Sequence, residues 1–238
     1  MSRWAPAALA LIALALSGCE TTQEESAKLE KTAKHFTLTH RGLSIAHAST
    51  RAQVLSAIVV HDSEGAAAAV TVRNSGSHTL SSVPIAITVR NAHGQTLYQN
   101  NAPGLEAALT SISSLPAHGS ITWVDDQVPS SGEPASVSAI VGETPAASGP
   151  EPRIEVKGTH LAEASTGEAS GTVRNRSSTT QQKLVVYVFA RRGGRIAAAG
   201  RAILPEVAPG ASVAFQAFLV GAPVGAKLEA SAPATTFG

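Results

Sequence analysis

Two stretches of the chain, AVTVRNSGSHTL at residues 69–80 and SGTVRNRSSTTQ at residues 170–181, share the tetrapeptide Thr-Val-Arg-Asn. Its two asparagines, Asn74 and Asn175, lie 101 residues apart (175 − 74), and a short Ser/Thr-rich segment follows each of them. We expect the asparagine side chains to bond the local backbone of a turn. A repeat of about 100 residues indicates two copies of one domain, because the repeats of solenoid proteins are only about 20 to 50 residues long.

A strand pattern follows each tetrapeptide, VPIAITV at residues 83–89 and LVVYVFA at residues 184–190. In the first run large apolar residues occupy every second position, which predicts a strand with one buried face. The second run is apolar on both faces, which is typical of a central strand between two sheets. Gly94 and Gly194 come next and are expected at hairpin tips that need a positive φ. These patterns predict an all-β fold of two tandem antiparallel immunoglobulin-like β-sandwiches.

The motifs resemble those of the FxLYD and CARDB-type immunoglobulin-like modules of bacterial envelope proteins. The second copy carries the resemblance in Gly171-Thr172-Val173-Arg174-Asn175 and in Ala208-Pro209-Gly210. The first copy has Val70 in place of the glycine and His118-Gly119 in place of Pro-Gly. The resemblance implies a binding or spacer module, and it supplies no catalytic residues.

The N-terminal residues have the pattern of a lipoprotein signal peptide. Arg3 supplies the positive charge, and residues 4–16 form an apolar run that is too short for the roughly 20 residues of a membrane-spanning helix. Leu16-Ser17-Gly18-Cys19 follows and resembles the bacterial lipobox. That resemblance implies that Cys19, the single cysteine, carries a diacylglycerol and becomes the N-terminus after cleavage. The alternative is an ordinary signal peptide that happens to precede a cysteine.

A lipid at Cys19 would hold the protein at the cell membrane, on its extracytoplasmic side, because two or three acyl chains anchor a protein stably. As the single cysteine, Cys19 has no partner for an internal disulfide. We expect a signal peptide at residues 1–18, a polar tether that is helical or disordered at 19–34, a first sandwich at 35–142, a Pro-rich linker at 143–152 and a second sandwich at 153–238. The last residues, SAPATTFG, are expected to fray.

The charges balance once the signal peptide is removed. The full chain has 18 basic and 17 acidic residues, and residues 1–18 contain only Arg3 among them, which leaves 17 of each. A neutral balance gives no general attraction to nucleic acid, so we expect no nucleic-acid partner.

Catalytic and cofactor motifs are absent from the sequence. There is no HExxH, no Gly-x-Ser-x-Gly elbow and no Walker loop, so we predict no catalytic residues, no metal site and no cofactor. A metal site that combines His35, His40 and His47 is the alternative left open. The adjacent carboxylates of Asp125 and Asp126 would point to opposite faces of a strand, so they are not expected to form an acid–base pair.

One segment departs from the balanced charge. Between Glu168 and Glu206 there are basic residues and no acidic ones, and Arg191, Arg192 and Arg195 surround a predicted hairpin tip. One hypothesis is a contact with an anionic surface, such as lipid headgroups, an envelope polymer or an acidic partner. The other is that arginines on turns and edge strands keep the protein soluble and prevent edge-to-edge pairing.

These features favour a noncatalytic protein-interaction or scaffolding module whose partner is another envelope protein. A solute- or polymer-binding lipoprotein that uses the cleft between the domains is a second hypothesis. It would need an aromatic-lined pocket, and Trp123 is the one tryptophan that remains after cleavage. An exported hydrolase with a Ser/His or metal constellation is the third.

Overall fold

The computed structural model describes residue 31 and residues 42–129, 131–162 and 167–237. Cys19, His35, His40 and nearly all of the predicted tether lie outside the described residues. The chain divides into the units Met1–His40 and Arg41–Gly238, and all of the strands lie in the second. Within the described part of the chain, no helix is long and apolar enough to cross a membrane.

The regular structure is almost entirely β, as the sequence predicted. The first half contains β1 (Ala52–His61), β2 (Ala66–Asn74), β3 (Leu80–Asn91), β4 (Thr96–Gln99), the short helix α1 (Ala107–Thr110), β5 (Ser111–Leu115), β6 (Ser120–Val128) and β7 (Pro134–Val141). The second half contains β8 (Ile154–Leu161), β9 (Glu168–Asn175), β10 (Gln181–Arg192), β11 (Arg195–Val207), β12 (Ser212–Phe218), β13 (Val220–Gly221) and β14 (Lys227–Ser231). The predicted fold class, antiparallel β-sandwiches in tandem, is confirmed.

The two halves repeat one topology. Each has a three-stranded sheet, β1-β2-β6 in the first half and β8-β9-β12 in the second. The other sheet is built around a long strand: β3 pairs with β4, β5 and β7, and β10 pairs with β11 and β14. The long strands start at Leu80 and Gln181, and their separation (181 − 80) equals that of the two asparagines. Every strand pair is antiparallel, so the sequence repeat corresponds to a structural repeat.

The long strands bury the faces that their sequences predict. In β3, the alternating residues Val83, Ile85, Ile87 and Val89 are all buried. In β10 two sets of side chains alternate, and each set joins a different apolar cluster. Leu184, Val186 and Val188 belong to the core of the second half, whereas Val185, Tyr187 and Phe189 pack with the core of the first. Strand β10 is therefore buried on both faces, as predicted for a central strand.

The halves pack against each other through an apolar layer. Residues Ala66–Val70 of β2 are all buried, so both faces of that strand are covered. Four of these five residues are alanines, whose small side chains let the second half approach closely. The cluster around them includes Ile196 and Ala199 from the second half. The sheet β1-β2-β6 therefore lies between its own sandwich partner and the sheet of β10 and β11.

Asn74 closes the turn after β2 through its side-chain amide. Its Nδ2 donates to the carbonyl of His78 at 2.8 Å and to the carbonyl of Leu115 at 3.2 Å. Its Oδ1 accepts the backbone N–H of Gly76 at 2.9 Å. The expected local role is confirmed, and the bond to Leu115 also ties the turn to the end of β5.

Asn175 repeats this arrangement in the second half. Its Nδ2 donates to the carbonyls of Thr179 and Val207 at 2.8 and 2.9 Å, and its Oδ1 accepts the N–H of Ser177 at 3.0 Å. Both asparagines are fully buried. Buried amides with several bonds specify a single backbone arrangement, which explains why the same residue type stands at both positions.

The hairpin tips were also predicted correctly. Gly94 has a φ of 79° and Gly194 a φ of 80°, the left-handed conformation that glycine adopts without steric cost. Gly94 lies between β3 and β4, and Gly194 lies between β10 and β11.

The predicted linker, residues 143–152, contains no strand, but it is bound along the first half. Thr144 donates its hydroxyl to the carbonyl of Ser81 at 2.7 Å, and Glu151 accepts the Ser114 hydroxyl at 2.6 Å. These bonds hold both ends of the segment against the sandwich that precedes it.

The expectation that the C-terminus frays is wrong for the described residues up to 237. Pro233 and Ala234 are buried, and the N–H groups of Thr235 and Thr236 donate to Oε1 of Gln181. The buried Gln181 amide at the start of β10 therefore anchors the segment, because a buried amide oxygen requires donors. No local pattern in SAPATTFG signals this distant partner.

Candidate functional sites

An ion pair joins the halves where β11 packs against β6. Nε of Arg201 lies 2.7 Å from Oδ1 of Asp126, and the backbone N–H of Arg201 donates to Oδ2 at 3.2 Å. The Arg201 side chain is only 4% exposed, compared with 20% for Asp126. Nη1 of Arg201 is buried and has no hydrogen-bond partner among the described residues. Because an uncompensated buried charge is costly, this pair favours one docked arrangement of the halves.

Asp125 bonds within its own half. Its Oδ2 accepts the hydroxyl of Tyr98 at 2.9 Å, and its Oδ1 accepts the N–H of Gln127 at 3.0 Å. Burial raises the pKa of Asp125, although the donors from Gln127 and Tyr98 act in the opposite direction. The adjacent carboxylates of β6 thus serve different partners, Tyr98 for Asp125 and Arg201 for Asp126, in agreement with the expected opposite orientation.

A second polar contact between the halves involves Asp62, in the turn after β1. Its Oδ2 accepts the N–H of Gly221 at 2.6 Å, and its Oδ1 accepts the N–H groups of Glu64 and Gly65. Burial tends to raise the pKa of Asp62, but the three backbone donors outweigh burial and lower it. The carboxylate closes its own turn and holds β13 at the same time.

Tyr187 lies on the face of β10 that meets the first half, directly opposite Arg201 of β11. The side chain is 1% exposed, and its hydroxyl forms no hydrogen bond with any residue that the structure describes. Burial raises the pKa of this phenol well above its ordinary value.

A cleft of about 270 Å³ opens between the halves beside Tyr187. The first half contributes its walls from β3, α1 and β5, and the second half from β10, β11 and the C-terminal segment. Tyr187, Val185, Ile203 and Ala108 supply the apolar surface, and serine, threonine and glutamine side chains supply much of the polar surface. The sequence did not indicate this cleft, because its walls come from segments up to about 150 residues apart (235 − 82).

Two strained residues of the repeat line the cleft. Ser82 has a φ of 49° and Lys183 a φ of 48°, a conformation that non-glycine residues seldom adopt. They are equivalent positions of β3 and β10, since their separation (183 − 82) is again 101. Both residues border the same cleft. Left-handed residues of this kind persist where the surrounding structure determines the backbone, and they cluster at binding sites.

The predicted basic group lies on the β10–β11 hairpin, where two of its three arginines contact their own chain. Nε of Arg191 is 3.4 Å from Oε2 of Glu229, and its guanidinium lies 5.0 Å from the ring centroid of Phe189. Arg191 is therefore already compensated by a carboxylate and an aromatic face.

Arg192 donates to the carbonyls of Ala222 and Val224 in the loop between β13 and β14. Arg195 is exposed, and its side chain forms no hydrogen bond or ion pair with the described residues. The three arginines lie together on the predicted hairpin, but Arg191 and Arg192 have internal partners that the sequence did not indicate.

Metal-ligating residues do not cluster within the described ranges, where no group of three or more His, Cys, Asp or Glu side chains could hold an ion. His47 is exposed on the segment before β1. The alternative site of His35, His40 and His47 is untested, since two of its members lie outside the described residues.

No family model matches the chain, and no curated protein matches it. Among solved structures the chain is similar to red sea bream transglutaminase, with 16% identity and a TM-score of 0.24, over 90% of this chain and 32% of that one. The chain thus spans about a third of that structure's length. A similarity at this TM-score carries no conclusion about the activity of the chain.

Proposed function

We propose that this chain is a noncatalytic protein-interaction or scaffolding module of the cell envelope, held at the extracytoplasmic face of a membrane by a lipid on Cys19. The observation that carries the proposal is the joined packing of the two sandwiches, through the apolar layer around β2 and the Arg201–Asp126 pair. Two modules held in one arrangement present their surfaces at a constant spacing, which suits the positioning of a partner.

The exposed apolar residues provide a surface for such a partner. Phe218, at the end of β12, is 72% exposed, and Val224 is 58% exposed in the loop before β14. Aromatic side chains are enriched among the residues that dominate binding energy at interfaces. Phe218 is therefore the residue of the second half that we expect to contact a partner protein.

The experiment is crosslinking in the host cell, followed by mass spectrometry, on the wild-type chain and three variants. Cys19→Ala removes the anchor and Phe218→Ser removes the proposed contact. Ile140→Ser is the matched control, because Ile140 is also an exposed apolar strand residue, at 55% exposure, but lies in the first half. We expect one stoichiometric partner with the wild type and Ile140→Ser, and loss or weakening of that partner with the other two.

The absence of a discrete partner for both the anchored and the unanchored chain would overturn the adaptor function. A partner that persists in Phe218→Ser would retain the function but reject this surface. Release of the wild-type chain from membranes without detergent, together with an unmodified Cys19 by mass spectrometry, would reject the lipid anchor.

A further inference from the structure

We propose that the outer edge of β12 is a dimerisation site, at which a second copy of this chain adds its own β12 in antiparallel pairing. The combined sheet has six strands, β8-β9-β12 of one copy followed by β12-β9-β8 of the other. The inference concerns the main chain of β12, whereas the proposed scaffolding contact concerns the side chain of Phe218. The two proposals are therefore tested at different residues.

The hydrogen bonds at the two ends of β12 show which of its residues face outward. The N–H of Asn175 donates to the carbonyl of Ala211 at 3.0 Å, and the N–H of Leu219 donates to the carbonyl of Gly167 at 2.7 Å. Residues 211 and 219 thus bond toward β9, as does every second residue between them. The main-chain groups of the intervening residues point away from β9.

Three residues form the open part of this edge, Ser212, Ala214 and Gln216. Strand β12 pairs with β9 alone, and the outward N–H and C=O groups of these residues have no hydrogen-bond partner among the residues that the structure describes. The open part ends at Phe218, because the carbonyl of Phe218 lies against Gly200 of β11. Main-chain groups of this kind are a template for a further strand.

The edge of β12 lacks the features that usually prevent such pairing. Its seven residues, SVAFQAF, include no charge and no proline, and its register with β9 is regular. Each other outer strand of the described ranges has a protective feature. Strands β4, β5 and β13 have two to five residues, β1 and β8 have an irregular register, β6 and β14 carry charges, and β7 and the part of β11 beyond β13 contain a proline.

The character of the edge favours a second copy as its occupant. The open groups require an extended main chain, because a strand offers donors and acceptors at the matching spacing. Strand β12 has no charged side chain that would select a foreign strand or repel another β12. The same three residues can supply the donors and acceptors on both sides, and closed two-fold pairs are the commonest symmetric assembly.

The two-fold pairing has one register that uses all three open residues. In that register Ala214 lies opposite Ala214 of the second copy, and Ser212 lies opposite Gln216. Each opposed pair exchanges two main-chain hydrogen bonds. A single pair of strands buries less area than a standard interface, so we expect a dimer that dissociates on dilution.

The first test is analytical ultracentrifugation of the full chain over a concentration series, in a detergent matched to the solvent density. We expect a reversible equilibrium between monomer and dimer. Ala214→Pro should raise the dissociation constant by about tenfold or more. The N–H of Ala214 faces away from β9, so this proline removes an outward donor without removing a bond to β9.

Charges at two positions test the register. Ser212 and Gln216 are both exposed and lie about 13 Å apart within one strand, but each faces the other residue across the two-fold axis. Ser212→Lys with Gln216→Lys places like charges opposite each other and should abolish the dimer. Ser212→Glu with Gln216→Lys places opposite charges there and should retain it.

Ser136→Lys with Ser138→Lys is the matched control. It adds the same two charges to exposed serines of another outer strand, β7, and should leave the dimer unchanged. The melting temperature of each variant shows whether the monomer remains folded.

A disulfide provides a second readout of the same register. Opposed residues of this type have Cα atoms about 5.5 Å apart, within the range that a disulfide spans. Ala214→Cys should form a covalent dimer on mild oxidation, whereas the exposed control Ser138→Cys should not. The wild type shows how much crosslinking Cys19 itself gives, since it is the single native cysteine.

A wild-type chain that stays monomeric at every concentration would overturn the inference. So would a dimer that persists unchanged in Ala214→Pro and in the double lysine variant, or equal crosslinking of Ala214→Cys and Ser138→Cys. If Ala214→Pro instead abolished the crosslink to another envelope protein while the wild type was monomeric, the edge would accept a strand of that partner and not a second copy. Loss of the dimer with retention of the crosslinked partner would support both proposals separately.

Discussion

Arg201 and Asp126 form an ion pair between the two halves, with Nε and Oδ1 2.7 Å apart and the arginine side chain almost fully buried. The carboxylate also accepts the backbone N–H of Arg201. One side chain of β6 thus satisfies both a charge and a backbone donor of β11. The pair lies where β11 packs against β6, and its carboxylate remains 20% exposed.

Removal of the carboxylate should destabilise the protein more than removal of the guanidinium. Asp126→Ala leaves a buried positive charge without its partner and should cost about 3 kcal/mol or more. Arg201→Met leaves a carboxylate that is partly exposed and can be hydrated, so its cost should be smaller. Urea unfolding followed by circular dichroism measures both values and that of the double variant. Additive effects in this cycle would show that the pair contributes no coupling energy.

The two buried asparagines should be equally important for stability. Asn74→Ala leaves two carbonyls and one N–H without their side-chain partner. Asn175→Ala does the same to the carbonyl of Val207 and the N–H of Ser177, whereas the Thr179 carbonyl keeps other side-chain donors. Each variant should cost about 2 to 4 kcal/mol. Asn101→Ala is the control, because Asn101 is exposed and should change stability by less than about 0.5 kcal/mol. Chemical unfolding of the three variants gives these values. Losses in the free energy of unfolding as small as that of Asn101→Ala would show that the two buried amides do not stabilise their turns.

Equivalent left-handed positions precede β6 and β12, and a glycine should be the more stable residue at both. His118 has a φ of 53° where the second half has Gly210 with a φ of 74°; the two positions are 92 residues apart (210 − 118). Gly210→Ala should destabilise by about 1 to 2 kcal/mol because alanine resists this conformation. His118→Gly should be neutral or stabilising by up to about 1 kcal/mol. Thermal unfolding measures both changes.

Ala117→Gly is the control for this comparison. It adds the same freedom to the unfolded chain at the residue next to His118, but no left-handed strain is relieved there. Its stability should fall. If His118→Gly lowered the stability by the same amount as Ala117→Gly, the left-handed conformation of His118 would carry no measurable strain.

Acid should remove a stabilising contribution from Glu155 of β8. The hydrogen bond from Arg176 is the main reason that the pKa of this carboxyl falls from 4.5 to about 2, and Lys157 contributes as well. Because the folded-state pKa is the lower one, the contribution is present above about pH 4.5 and is lost as the pH falls toward 2. Glu155→Gln should lower the melting temperature at pH 7 but not at pH 2. If the melting temperatures of the wild type and Glu155→Gln differed by the same amount at pH 7 and pH 2, the stabilisation would not come from the ion pair.

Among the three hairpin arginines, Arg195 is the one whose charge reversal should weaken binding to anionic surfaces and leave the stability of the protein unchanged. Arg195→Glu changes an exposed side chain, whereas Arg192→Glu also removes the bonds to Ala222 and Val224. Cosedimentation with phosphatidylglycerol vesicles should show binding that weakens as the salt concentration rises. Arg195→Glu should weaken this binding, and reversal of all three charges, at Arg191, Arg192 and Arg195, should abolish it.

Arg73→Glu is the control for this measurement, because Arg73 is an exposed arginine of β2 in the other half. It should leave the binding unchanged. Vesicle binding that survives the triple reversal would show that the arginines act only in solubility and edge protection.

The local elements were predictable because they depend on short stretches of sequence. Alternation at residues 83–89 identified the buried face of β3, and the apolar run at 184–190 indicated that β10 is covered on both sides. The repeated Thr-Val-Arg-Asn indicated two copies of one topology. Gly94 and Gly194 marked the hairpin tips through the φ that only glycine adopts freely.

The candidate sites were mostly not predictable. The partner of Gln181 in the C-terminal segment, the partner of Asp126 in β11 and the open hydroxyl of Tyr187 all depend on residues more than 50 positions away or on an empty space between segments. Arg191 and Arg192 were placed correctly on their hairpin, but their partners come from the separate segment 222–229.

The sequence by itself determined the all-β class, the two-fold repeat, the position of the turns and the faces of the long strands. These follow from side-chain periodicity and from backbone conformations that a few residue types prefer. Only the tertiary structure decided that the halves share an apolar layer, that Asp126 holds Arg201 across it, and that a cleft opens beside Tyr187. Such features depend on how whole sheets pack in space, and close packing brings together residues whose separation along the chain carries no signal.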